Sequence, residues 1–221
     1  MSTGTYAQDV RLPPWTPARL ARNGFRLVQE SSQAHVSSTR RHLRLALDAD
    51  TTRAGPVAAR ITDLAADQPH RWQPTNDRPI RLSAQIRFDQ TQSPAHLTET
   101  IFFWTGLTPP ISAIGVTRDH GMYAAVVAVN FDPATGAGIF QRAPVPSSVR
   151  ADSWHIITIA IAVDQATITV ADQLVLDVTL PEPPPALAAE LSVDNDNVPE
   201  GHLPVITPDA LTIRTLSITQ R

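Results

Sequence analysis

The stretch DHGMY at 119–123 places a carboxylate, an imidazole and a phenol in consecutive or near-consecutive positions. A tyrosine with a histidine or arginine beside it is a set suited to proton abstraction from a sugar ring carbon, as in a polysaccharide lyase. In an extended chain, Asp119, Gly121 and Tyr123 share one face and His120 lies opposite, so the set converges only if the chain turns near Gly121. Hairpin-turn chemistry accounts for the same letters. Arg87 and Glu99 are the other candidates for such a site, Glu99 pairing with Asp89 or Asp119 from a neighbouring strand to make two carboxylates. His155, beside Trp154, reads as a rim residue of the core. The seven histidines show no HxH or HExxH spacing, so zinc is unsupported.

Oxygen ligands alternate in DNDN at 194–197, where Asp194 and Asp196, or Asn195 and Asn197, are of the type that holds calcium. Glu200 or Asp209 would complete such a set. The glycine and terminal glutamate of a helical calcium loop are absent, and an Asx-rich turn explains the pattern equally well. Aromatic side chains are sparse, at 5% of the chain. Trp72, in the polar run PHRWQPTND, is the expected exposed platform for stacking a sugar ring. Trp15 lies among prolines and is expected to pin the N-terminal arm, whereas Trp104 and Trp154 are expected in the core.

These residues need a frame, and its period is 2. IRLSAQIRFD (80–89) alternates without a break, with Ile80, Leu82, Ala84, Ile86 and Phe88 against Arg81, Ser83, Gln85 and Arg87. SWHIITIAIAVDQATITVADQLVLDVTL (153–180) reads as three strands joined by turns at the two DQ pairs, with Leu174, Leu176, Val178 and Leu180 facing inward. HLRLALD, PVAARITDL, ETIFFWTGL, ISAIGVTRD and GMYAAVVAVNF supply further strands. The last of these and 155–163 are apolar on both faces, as expected of central positions. Ile139 and Phe140 fit a short edge strand. In ALTIRTLSIT the apolar phase slips between Ile213 and Leu216, which a bulge would reconcile. Only TPARLARNG and ALAAE offer helical turns, each short, and the prolines opening PEPPPALAAE forbid a strand there.

Length and composition agree with one all-β domain. The 221 residues suit a single sandwich over 1–221, with 1–22 as an arm; 42% are hydrophobic and 18% charged, so a core is available. Twenty prolines against nine glycines mark edges and loops. A formal charge of −3 gives no net attraction to nucleic acid or to an anionic membrane surface. The basic run STRRHLR (38–44) reads as a solvated face. There are no cysteines, which excludes disulfides and thiolate chemistry. The first residues lack the pattern of a signal peptide, making the cytoplasm the default expectation, and no run approaches the ~18 apolar residues of a membrane span.

The strand sequence resembles the concanavalin A-like jelly roll of legume lectins, laminin-G-like modules and several glucanase and lyase families. NGFRLVQ…HLRLALD…GPVAARITD, PIRLSAQIRFDQ, SWHIITIAIAVDQATITVADQLVLDVTL and LSVDNDN…DALTIRTLSI carry the likeness over most of the chain. The resemblance implies a two-sheet antiparallel sandwich with a ligand face. It departs from laminarinase-like members at ISAIGVTRD, where alternating acidic residues would fall and only Ser112, Ile114 and Val116, or Ile111, Ala113, Gly115 and Thr117, are found.

Three readings follow. The first is a non-catalytic, lectin-like domain for carbohydrate using Trp72, Arg87, Glu99, His120 and Tyr123, with Ca2+ as the one cofactor the sequence suggests. The second is a carbohydrate-active lyase or hydrolase with an unorthodox site around Arg87, Glu99, His120 and Tyr123. The third is a structural or protein-interaction sandwich that self-associates through a sheet face or edge.

Overall fold

The computed structural model describes residues 8–32, 34–48, 58–63, 70–88, 98–106, 108–119, 122–146, 153–194 and 209–220. Fifteen strands among them build two antiparallel sheets. In chain order they are β1 (Gln8–Leu12), β2 (Arg26–Gln29), β3 (Ala34–Ser38), β4 (Leu43–Leu47), β5 (Ala58–Thr62), β6 (Ile80–Phe88), β7 (Thr98–Trp104) and β8 (Ile111–Asp119). They continue with β9 (Met122–Asp132), β10 (Ala137–Pro144), β11 (His155–Ile161), β12 (Gln165–Val170), β13 (Gln173–Thr179), β14 (Ala188–Asp194) and β15 (Asp209–Gln220). One helix, α1 (Pro17–Arg22), is capped by Thr16, whose side chain accepts from the Arg19 N–H.

The first sheet runs β13-β12-β11-β6-β15-β4-β3, with β1 also paired to β15; the second runs β10-β9-β8-β7-β14-β5-β2. This is the two-sheet jelly-roll sandwich that the alternation predicts. β6 buries Ile80, Leu82, Ala84, Ile86 and Phe88 against the inner side chains of the second sheet, among them Ile61, Ile101, Phe103, Ile114, Val127 and Leu191. The 155–161 segment is central, between β6 and β12. Ile139 and Phe140 do lie on an edge strand, β10.

Two bulges set the phase of the first sheet. In β15 the register shifts between Ile213 and Thr215, so Arg214 is the extra residue and both Ile213 and Leu216 reach the core. The bulged carbonyl of Arg214 accepts from Trp15 Nε1 at 3.1 Å, which ties the N-terminal segment to the sheet. In β13 the partner of Ile168 is Leu176, and the partner of Thr169 is Leu174. Val175 is therefore inserted, and Leu174 is 61% exposed instead of inward-facing. Before the bulge, the β12–β13 turn holds Ala171 and Asp172 at φ 49° and 62°, the left-handed pair of a two-residue hairpin.

The expected helical turn at ALAAE is instead the start of β14. The prolines end at 185, and every residue from Ala188 to Asp194 is buried, because β14 sits between β7 and β5, with one face on the core and the other flanked by its neighbours' side chains. Local propensity of an alanine-rich run yields here to sheet pairing on both sides.

Candidate functional site

The side chains of the second sheet that point away from the core form rows across the strands. Thr62, Glu190, Phe102, Gly115 and Val126 lie side by side on β5, β14, β7, β8 and β9. One row below are Arg60, Ser192, Thr100, Thr117 and Ala124, and one row above are Ala188, Trp104, Ala113, Ala128 and Phe140. Most side chains of these rows, among them Arg60, Glu190, Ser192, Phe102 and Val126, line a cleft of about 450 Å³ on the sheet's outer face. That volume is in the range of small-ligand sites.

Strand alternation places Glu190, Ser192 and Asp194 of β14 in line on this face, with Ala189, Leu191 and Val193 in the core. Arg60 Nη1 stands 3.7 Å from Glu190 Oε1, and Arg60 Nη2 donates to Glu30 Oε2 at 3.0 Å. The Glu190 side chain is only 6% exposed, so its charge depends on that guanidinium far more than a surface carboxylate would. Further along, Ser192 Oγ donates to Asp194 Oδ2 at 2.7 Å. The Ser192 hydroxyl proton is thereby used, so at the 2.7 Å contact between them Thr100 Oγ1 donates to Ser192 Oγ.

Gly115 decides the floor. A Cβ there would stand 1.9 Å from the Ile101 carbonyl oxygen and 2.5 Å from Phe102 Cδ1. The glycine lets the half-exposed Phe102 ring lie across β8. Trp104 is also half-buried on this face, and Phe131 and Phe140 pair at 5.0 Å between centroids near the sheet edge. The cleft thus has a hydrogen-bonding, charged side on β5, β14 and β7 and an aromatic side toward β8, β9 and β10.

Of the described residues that the sequence offered as ligand-binding or metal candidates, Asp194 lies here, and Trp104, expected in the core, lies here too. Trp72 is not a platform: it is fully buried, donates from Nε1 to Asp63 Oδ2 at 2.6 Å and packs edge-on against Phe103 at 6.2 Å. Its polar neighbours in sequence are explained by that tie and by Arg71, whose guanidinium lies 4.6 Å above the Trp72 ring. Arg87 is on the outer face of the other sheet, over Trp154 at 5.3 Å, where Arg214 also stacks at 4.2 Å. Tyr123 points between the sheets, its ring 4.5 Å from Phe88 and beneath Arg118 at 5.2 Å. Glu99 pairs with Arg118 in the β7–β8 ladder. His120 and Asp196 lie outside the described residues.

Arg87 and Tyr123 therefore do not converge on one site, and Trp104 and Trp154 are both half-buried on outer faces instead of in the core. Among the described residues, no three His, Cys, Asp or Glu side chains cluster as a metal would require.

The residues that do line the cleft were legible only once β14 was recognised. AAELSVD alternates apolar and polar, but its glutamate falls at the end of an alanine-rich run and its aspartate at the start of an Asx-rich one. Chemically, the arrangement offers one buried, arginine-held carboxylate beside exposed aromatic surface. Glu190 and Asp194 are four residues apart on one strand, about 13 Å along the backbone at ~3.3 Å per residue, with both side chains on the same face.

Comparison with known proteins places the fold. The endo-β-1,4-glucuronan lyase of Trichoderma reesei superposes with a TM-score of 0.66 at 11% identity, covering 97% of this chain and 94% of that one. A β-glucanase of Bacillus licheniformis matches with a TM-score of 0.58 at 15% identity over 89% and 92% of the two chains. The catalytic domain of an endo-1,3-β-glucanase (laminarinase) from Thermotoga petrophila gives 0.54 at 12% identity over 82% and 81%. No protein-family model and no curated protein sequence matches the chain. The chain has the concanavalin A-like jelly-roll fold, and at these identities the likeness is one of fold.

Proposed function

We propose that this chain is a carbohydrate-active protein that takes a glycan in the outer-face cleft and acts on it through Glu190, held by Arg60. The observation that carries the reading is the juxtaposition of a nearly buried Glu190–Arg60 pair with half-exposed Phe102 and Trp104 on one sheet face. Aromatic faces stack on the apolar faces of sugar rings, and a shielded carboxylate is a suitable proton donor or acceptor for the bond beside them. The fold's likeness to a glucuronan lyase and to β-glucanases supports the same class.

A second reading, a binding domain without chemistry, is favoured by one observation: both carboxylates of β14 are already engaged, Glu190 by the Arg60 guanidinium and Asp194 by the Ser192 hydroxyl. One experiment separates the two. The purified chain is incubated with soluble β-glucans and with polyuronates, with and without EDTA. New reducing ends report hydrolysis, ultraviolet absorbance of unsaturated uronate reports elimination, and calorimetry reports binding. Products that vanish in Glu190→Gln while binding persists are expected. Binding without products would establish the second reading, and neither binding nor products would overturn both. Loss with EDTA would assign a cation, with Asp194 as its first described ligand.

A further inference from the structure

The two sides of the cleft differ in what they ask of a ligand. On β5, β14 and β7, Arg60, Glu190, Ser192 and Thr100 present charge and hydroxyls. Toward the sheet edge the lining is Ala113 and Val126 on the floor, with Ile111, Trp104, Phe131 and Phe140 around it. The hydrogen-bonding group of these side chains is the Trp104 indole N–H, which is buried and has no partner among the described residues. Phe140 is 51% exposed and Phe131 half-exposed, so this apolar surface is open to solvent.

A sugar ring carries hydroxyls around its whole rim. Moved onto the edge side, a second ring would find only the Trp104 indole N–H among Ala, Val, Ile and Phe side chains, so most of the hydroxyls facing the sheet would exchange water for apolar contact. An alkyl, acyl or aryl group has no such loss and gains burial. We infer that the ligand of this cleft is amphipathic: a sugar on the Glu190–Arg60 side that carries an apolar substituent lying over Ala113 and Val126 against Phe140. This inference rests on the glycan reading above and adds the ligand's second half.

The test is a homologous series of n-alkyl β-glucosides and β-glucuronides, methyl to octyl and below micelle formation, titrated calorimetrically beside the matching n-alkanols. Affinity is expected to rise roughly fourfold per methylene over the first several carbons, and to depend also on the sugar. The rise should flatten in Phe140→Ser, a change at an exposed edge position. Affinity independent of chain length would overturn the inference while leaving the glycan reading intact. Equal affinities for glucosides and alkanols at each chain length would overturn the glycan reading itself. An unaltered slope in Phe140→Ser, or a wild-type dimer that this substitution dissociates, would remove the substituent from this face.

Discussion

Trp72 Nε1 and Asp63 Oδ2 are 2.6 Å apart, and the other oxygen of the same carboxylate accepts from the Ala189 backbone N–H at 2.6 Å. Asp63 thus fastens the segment after β5 to Trp72 and to β14, the strand that carries Glu190. Trp72 reinforces this by exchanging backbone hydrogen bonds with Leu187, one residue before β14 begins.

Burial raises the Asp63 pKa above the ordinary carboxylate value of 3.8, against the lowering effect of its hydrogen bonds and of Arg71. With the folded value raised, the folded protein binds the proton more tightly than the unfolded chain. The resulting contribution to stability is complete below 3.8 and is lost as pH rises through the folded pKa. Asp63→Asn, which keeps the size but turns a donor toward Ala189, is expected to cost about 1–3 kcal/mol. Urea unfolding should show the gap from wild type widest at acid pH and narrowing as pH rises; a gap that widens with pH would contradict the assignment.

Gly115→Ala tests the floor of the cleft. Its Cβ would meet the Ile101 carbonyl, a backbone atom that cannot swing aside, as well as the Phe102 ring. A loss of about 3 kcal/mol is expected, together with reduced affinity for any ligand that stacks on Phe102. Wild-type stability in this variant would mean that β7 and β8 are not so closely apposed.

Arg60 is flanked by two carboxylates of unequal burial. Glu30, at 37% exposure, should be nearly dispensable, with Glu30→Ala costing at most about 1 kcal/mol. Arg60→Met leaves the charge of Glu190 without this guanidinium inside the sheet face and is expected to cost roughly 3–5 kcal/mol. Thermal or urea denaturation of the two variants orders them directly, and equal losses would show that Glu190 draws its support elsewhere.

The β13 bulge separates Leu174 from Val178, which strict alternation would treat alike. Leu174→Thr should change stability by less than about 0.5 kcal/mol, since the side chain is mostly in solvent. Val178→Ala removes buried methyls and should cost about 1–3 kcal/mol. Similar losses at both positions would restore the unbulged register.

Periodicity was enough for the frame. The strict alternation of β6, the two-faced apolarity of β9 and β11, and the phase slip at Arg214 each follow from one residue's relation to its near neighbours, and each is present in the folded chain. The candidate site was another matter. Trp72 sits in a polar run and is fully buried, because Asp63 satisfies its N–H and Phe103 covers its ring, and neither partner is marked as such in the local sequence. Tyr123 and Arg87 both have the chemistry of a site, yet one is inside the sandwich and the other is on the opposite sheet. Glu190 became a candidate only when β7 and β5 paired with β14 from both sides and brought Arg60 to it across the strands. Alternation along a strand is local information that the sequence carries by itself. Which strands become neighbours, and so which side chains share a cleft, is set by long-range pairing that only the tertiary structure decides.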